Sequence, residues 1–227
     1  MERHFDVELK NLKEKLLRMS SLAEEAISAS IKALVERNTS LADKVLKSDD
    51  AINMLEIEID ELSLKLLALY QPEAGDLRFI TSAMKIINDL ERIGDLAVNI
   101  AERTVYLLSV PLLKPLIDIP RMAKSTQGML RDSINAFVNN DAKLAWNVCL
   151  RDDEVDQLND QLFRELLTYM TQDHKNIERA LALILIARNL ERIADHSTNI
   201  SEDVIYIVEG RTVKHHIEEK RNEDFSV

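Results

Sequence analysis

Turn-forming residues are scarce in this chain. Four glycines and four prolines occur among 227 residues, about a third of ordinary usage. A sandwich, a barrel or a doubly wound α/β fold needs a turn signal about every 8–15 residues. Such folds do not fit. Disorder does not fit either, because 46% of the residues are hydrophobic and their spacing is regular. What remains is a chain of long helices with few turns.

The few turn-formers mark where those helices stop. Pro72 and Gly75 fall together, Pro111, Pro115 and Pro120 cluster, and Gly210 precedes a polar tail; only Gly94 and Gly128 interrupt helical stretches. Between the marks the apolar residues step by three and four, the stripe of a buried helix face. Phe5, Leu9, Leu12, Leu16, Met19, Ala23 and Ala26 form the first stripe. Asn38-Thr39-Ser40 breaks it and offers capping side chains. A second continuous helix is expected from Leu41 through Val45, Ile52, Leu55, Ile59, Leu62 and Leu66 to Leu69. A third follows the turn at 71–76. Helix four is expected from Pro120 to Val138, helix five from the Asn139-Asn140-Asp141 break to Thr171, and helix six from Asn176 to Val208.

The two halves repeat. The segment Asp89-Leu90-Glu91-Arg92-Ile93-Gly94-Asp95 matches Asn189-Leu190-Glu191-Arg192-Ile193-Ala194-Asp195 at an offset of 100. Nine of the twenty positions from 88 to 107 are identical to their counterparts, where chance at average usage gives about one or two. Earlier in each half the offset is 103, pairing Val45 with Val148, Asp49 with Asp152 and Leu55 with Leu158; the shift is expected at the second interhelical turn. The expected organisation is therefore all-α: a three-helix repeat at 1–109, a proline-containing linker at 110–119, a second repeat at 120–208 and a polar tail at 209–227.

Charge and cysteine usage bound the setting. The formal net charge of −11 argues against a general nucleic-acid binder, which carries a basic patch. The apolar run from Leu181 to Ala187 is far short of the ~20 residues that span a bilayer. The N-terminal residues alternate charged and apolar side chains without a signal-peptide core. Cys149 is the single cysteine, which fits a reducing compartment. The expected location is the cytoplasm.

Packing explains the repeated apolar positions but not the repeated carboxylates. Glu91, Asp95, Asn99, Glu102 and Tyr106 share one helical face, and the second repeat has Glu191, Asp195, Asn199, Glu202 and Tyr206. The preceding helix carries Asp49, Asn53, Glu56 and Asp60, and its counterpart carries Asp152, Asp156, Asn159 and Asp160, with Phe163 in the place of Asp60. Like charges at this spacing repel by a few tenths of a kcal/mol per pair, unless cations sit between them. A solvated acidic face, with Arg92 and Arg192 pairing locally to Glu or Asp, is one reading. The other is a hard-cation site in each repeat, with Asp49, Asn53, Glu91, Asp95, Asn99 and Glu102 as candidate ligands in the first and Asp152, Asp156, Glu191, Asp195, Asn199 and Glu202 in the second. Oxygen ligands suit Mg²⁺, Mn²⁺, Ca²⁺ or iron rather than copper. His196 adjoins the second row, with Leu96 at the matching position, and His215-His216 falls in the tail.

Catalytic signatures are lacking. Ferritin-like di-iron sites need Glu-x-x-His on two helices, and none of the five histidines has a glutamate three residues before it. No phosphate-binding Gly-x-x-x-x-Gly-Lys loop and no Gly-x-Ser-x-Gly elbow occurs. The chain reads as a non-enzyme.

The segment Gln71-Pro72-Glu73-Ala74-Gly75-Asp76-Leu77-Arg78, followed by Leu90-Glu91-Arg92-Ile93-Gly94-Asp95, resembles the first repeat of PhoU phosphate-regulatory proteins. Asp152-Asp153-Glu154-Val155-Asp156-Gln157, Leu167-Thr168-Tyr169-Met170 and Leu190-Glu191-Arg192-Ile193-Ala194-Asp195 resemble the second, so the likeness covers about residues 5–208. It implies two three-helix bundles, a homodimer, and metal ions on each bundle (iron, zinc, magnesium or manganese) at Glu91/Asp95, Glu191/Asp195 and Asp152/Asp156. The first repeat departs from that motif at Asn53, and the second at Asn189, Ala194 and Phe163. The resemblance also implies a role: a negative regulator of phosphate uptake and of the phosphate-starvation response, coupling the ATPase subunit of a phosphate ABC transporter to a sensor histidine kinase. A metal-storage or metal-dependent carboxylate bundle, and a purely structural helical scaffold, stand as the alternatives.

Overall fold

A computed structural model describes residues 4–210, the side chain of Asp49 excepted. The helices are α1 (His4–Glu36), α2 (Thr39–Leu46), α3 (Asp49–Tyr70), α4 (Ala74–Leu108), α5 (Asp118–Asn139), α6 (Ala142–Cys149), α7 (Asp152–Gln172) and α8 (Ile177–Glu209), with a 3₁₀ turn at His174–Asn176. No helix of the described residues is long and apolar enough to cross a membrane. The protein is all-α, two sequence-related three-helix units in tandem. The starts and ends of α2 and α6 differ by 103 residues, and α4 and α8 align at 100 around Glu91 and Glu191. The loop Gln71-Pro72-Glu73 is the segment without a counterpart, where the change of offset is expected.

One expectation is corrected. The second helix of each unit is not continuous: it breaks at Lys47-Ser48 and again at the equivalent Leu150-Arg151. At the first break Lys47 N–H and Ser48 N–H bond to the carbonyls of Lys44 and Val45, and the Ser48 hydroxyl also donates to Val45 O at 2.8 Å. Such i→i−3 bonds tighten the chain out of α geometry. At the second break Arg151 is drawn sideways onto α5, where its guanidinium donates to Asp132 Oδ2 at 2.6 Å and Ser125 O at 3.2 Å. Apolar periodicity runs through both breaks, because the short and long helices face the same core. Helix four also begins slightly earlier than expected, at Asp118, with Pro120 in its first turn.

The ends have local causes. The Asn38 side chain accepts from Leu41 N–H, and Asp141 does the same for Leu144 N–H, so both short helices are capped as Asn and Asp allow. Arg37 and its counterpart Asn140 adopt left-handed backbone, closing α1 and α5 with bonds from Asn38 N to Ala33 O and from Asp141 N to Ala136 O.

Helices α4 and α8 run antiparallel at the centre, with α1 and α5 beside them, while α3 packs on α1 and α4 and α7 packs on α5 and α8. Three contacts mark the α4–α8 seam: Lys85 to Asp203 at 3.2 Å, His196 Nδ1 to Asp89 Oδ1 at 2.8 Å, and the Tyr106 hydroxyl donating to Glu178 at 3.0 Å. One apolar cluster spans both units. Phe79 of α4 stacks on Phe137 of α5 with ring centroids 4.5 Å apart, and Lys13 of α1 lies over Phe79. The connection between units is fastened rather than loose. Arg37 donates to the carbonyls of Leu107, Leu108 and Val110, Arg179 donates to Pro111 O, and buried Lys114 pairs with Asp118 and Glu165.

Candidate functional site

The acidic rows lie along the outer α3–α4 and α7–α8 contacts, one per unit. Each row is too long to be one site. Eleven residues separate Glu91 from Glu102, and the same number separates Glu191 from Glu202, a rise of about 16 Å along a helix. Glu91 and Asp95 are half-buried against the neighbouring helix, whereas Asn99 and Glu102 are exposed; Asn199 is exposed and Glu202 half-buried. Tyr106 and Tyr206 leave the rows altogether. Tyr106 joins the seam through Glu178, and Tyr206 lies 6.0 Å beneath the Lys85 ammonium.

In the first unit the carboxylates already have a counterion. Arg92 stands 3.5 Å from Glu91 Oε2 and 3.4 Å from Asp95 Oδ2. The facing helix contributes Asn53, whose Oδ1 is shielded from solvent. One turn further along, Glu56, Asp60 and Glu61 of α3 meet Met84, Ile87 and Asn88 of α4 around a cavity of about 470 Å³. Among the first-unit candidates, Asp49 starts α3, and its side chain lies outside the described residues.

The second unit is electrostatically harsher. Asp156, Glu191 and Asp195 each have a pKa raised above the ordinary carboxylate value. Desolvation is the first cause in all three, since neighbouring side chains displace part of the water that favours the charged form, even though Asp156 and Asp195 keep exposed surface. Repulsion adds to it. Asp195 acts on Asp156 and Glu191, Asp156 acts on Glu191, and Asp153 and Asp160 press on Asp156. Arg188 and Arg192 partly offset this for Glu191, as His196 and Arg192 do for Asp195. Among the described residues no cation stands within 4 Å of Asp156, Glu191 or Asp195. Asp152 opens α7 with its Oδ1 buried.

The structure therefore brings Asp156, Glu191 and Asp195 into one field and ties Glu91 and Asp95 to Arg92. Among the described residues no three acidic, histidine or cysteine side chains converge into a ready cation cage. The donor chemistry suits a hard cation, since all the groups are carboxylate or amide oxygens. The geometry is that of a charged platform, able to hold a hydrated cation or a basic surface. His196 borders this platform, where it partly offsets the raised pKa of Asp195. Its ring spans the seam to Asp89, an interaction its sequence position beside Asp195 did not reveal. The Glu56–Asn88 cavity was also hidden, because it depends on which turns of α3 and α4 face each other.

Comparison with known proteins places these observations. The PhoU domain family model matches residues 16–104 and 119–204, one match per unit. The phosphate-specific transport system accessory protein PhoU homolog of Aquifex aeolicus is 48% identical over 214 residues, covering 94% of this chain and 97% of that protein. The homolog of the same name from Pseudomonas putida is 39% identical, covering 95% of this chain and 84% of its own. Among solved structures, PhoU from Pseudomonas aeruginosa superposes with a TM-score of 0.88 at 39% identity, covering 92% of this chain and all of that one. The phosphate transport system regulatory protein PhoU from Streptococcus pneumoniae gives 0.86 at 31% identity, over 93% of this chain and all of its own. Two units, each matched by the same family model and together spanning nearly every described helix, leave one conclusion: the chain belongs to the PhoU family.

Proposed function

We propose that this protein is a cytoplasmic, non-enzymatic adaptor that restrains phosphate uptake and the phosphate-starvation response. It acts by coupling the ATPase of a phosphate ABC transporter to a sensor histidine kinase. The observation carrying the reading is family membership along nearly the whole chain, with relatives named as accessory proteins of phosphate-specific transport. An adaptor needs charged, rigid surfaces rather than a catalytic cleft, and the long acidic contacts on two outer faces are of that kind.

Metal ions belong to this reading. Glu91 and Asp95 with Asn53 and Asp49 would hold one in the first unit, and Glu191, Asp195, Asp152 and Asp156 would hold one in the second. Asn99, Glu102, Asn199 and Glu202 stand at the far end of each row. A bound cation would neutralise the platform and supply charge for docking a partner. The chain's own residues set the local field: Arg92 lowers the demand for a cation in the first unit, and the raised pKa values of Asp156, Glu191 and Asp195 increase it in the second.

Affinity capture from phosphate-replete cells tests the adaptor role. The tagged protein should recover the transporter ATPase and the kinase, and recovery should fall at least several-fold for the Glu91→Ala, Asp95→Ala, Glu191→Ala, Asp195→Ala variant. Capture of neither protein by the wild type would sink the proposal. Elemental analysis of both proteins separates loss of metal from loss of partners.

A further inference from the structure

The outward face of α3 is apolar where the same face of α7 is largely polar. Buried positions agree between the two helices: Ile52, Leu55 and Ile59 recur 103 residues on as Val155, Leu158 and Leu162. The exposed ones do not. Met54, Ile57, Glu61, Leu64 and Ala68 step by three and four along the solvent side of α3, and their counterparts are Gln157, Asp160, Arg164, Leu167 and Thr171. Met54, Ile57 and Leu64 are 61%, 57% and 52% exposed, so the core gains little from them. The α7 row shows that this position in the unit does not require apolar side chains, and aligned exposed apolar residues mark interaction sites. Charge divides the two edges of the stripe. On the α1 side Lys65 bonds to Glu8 at 2.8 Å, and Lys15 pairs with Glu58. On the α4 side Glu56, Asp60 and Glu61 border the cavity of about 470 Å³, which Ile57 also lines. Among the described residues none of these three carboxylates has a cation within 4 Å.

We propose that this α3 face docks a basic amphipathic helix of a protein partner. Spacing and charge specify the occupant. The three-four stripe is the surface against which a second helix packs with apolar residues at the same spacing. The α4 edge adds three carboxylates without a counterion, so lysine or arginine on the partner's flank would enter the cavity toward Glu56, Asp60 and Glu61. A second copy of this chain fits worse, because the stripe is symmetric about Glu61. Pairing two α3 helices in register, parallel or antiparallel, sets Glu61 against Glu61. An anionic bilayer is repelled by the same carboxylates. A helix docked on α3 deepens the adaptor reading and rests on it for there being a protein partner. A peptide measurement involves neither transporter nor kinase, so the two readings fail separately.

The test is isothermal titration of the full chain, in chelator-treated buffer, with a helical peptide of the length of α3, 22 residues, carrying leucine at the three-four spacing and lysine on both flanks. A second peptide has glutamate in place of each lysine. The lysine peptide should bind one to one, at least tenfold more tightly than the glutamate peptide. Leu64→Ser or Ile57→Ser, both at exposed positions, should weaken it at least fivefold. Glu56→Gln with Glu61→Gln should weaken it at least threefold, and Leu167→Ser on the equivalent face of α7 should leave it unchanged. Equal binding of the glutamate peptide overturns the proposal, as does a loss for Leu167→Ser matching that for Leu64→Ser. So would the absence of saturable binding, or an unchanged affinity in the glutamine variant. A dimer in sedimentation that Leu64→Ser dissociates would give the face to a second copy and overturn it too.

Discussion

At the residue scale, the informative positions are those where the two units depart from each other. Asn53 in the first stands where the second has Asp156, so the second platform carries one more carboxylate; Arg92 stands close to Glu91 and Asp95 in the first, and among the described residues no cation does so in the second. A carboxylate whose pKa is raised by folding favours the native state only while protonated. The contribution of Asp156, Glu191 and Asp195 is therefore present below the unfolded value of about 4 and lost as pH rises through the raised folded values. Asp156→Asn should thus stabilise the metal-free protein at pH 7 by a few tenths of a kcal/mol, about 1 °C in Tm, with the gain vanishing near pH 4. Asn53→Asp should do the reverse. Thermal melts across pH in chelator-treated buffer check both. Gly128 offers a second case. Alanine in a helix is favoured over glycine by about 1 kcal/mol, but its Cβ would displace the Arg151 guanidinium. Gly128→Ala alone should be nearly neutral, and in an Arg151→Ala background it should stabilise by about 1 kcal/mol. Urea unfolding of the four-protein cycle measures the difference. The carboxylates themselves were legible in the sequence, because their spacing repeats. The local pairing with Arg92 was legible too, since Arg92 adjoins Glu91 and lies three residues before Asp95 on the same helix; the crowding of Asp156 against Glu191 and Asp195 was not, because facing turns decide it.

At the element scale, local chemistry explains most helix ends. Asn38 and Asp141 cap where their side chains can reach the next turn, and the proline cluster marks the connection. The breaks at Lys47-Ser48 and Leu150-Arg151 escaped the pattern because the buried stripe continues through them. The closing of α4 is a tertiary device. Arg37, at the end of α1, donates to three carbonyls at and beyond the α4 terminus, while its counterpart Asn140 has no long side chain to do the same. Arg37→Ala should cost about 1–2 kcal/mol. It should also raise amide exchange rates around 109–113, measured by hydrogen–deuterium exchange. An unchanged exchange rate there would show that the connection holds without this contact.

At the scale of the whole molecule, the repeats share one core. The Phe79–Phe137 stack joins α4 to α5, and α4 lies along α8 through His196–Asp89, Lys85–Asp203 and Tyr106–Glu178. Unfolding should accordingly be a single transition despite two family-model matches. Phe137→Ala should lower stability by about 3–5 kcal/mol without splitting that transition, as read by calorimetry. Two separate transitions would mean that the units fold independently.

The sequence by itself determined the helical class, the duplication and the chain breaks other than those at Lys47-Ser48 and Leu150-Arg151. Those properties follow from local spacing: period-3.6 apolar residues, caps, prolines and an offset that can be counted. Tertiary structure alone decided how the two copies meet. The antiparallel α4–α8 seam, the bond from His196 to Asp89, the crowding of Asp156 against Glu191 and Asp195, and the groove filled by Arg151 in the second unit all depend on which faces are opposed. That is set by packing between residues far apart in the chain, where spacing carries no information.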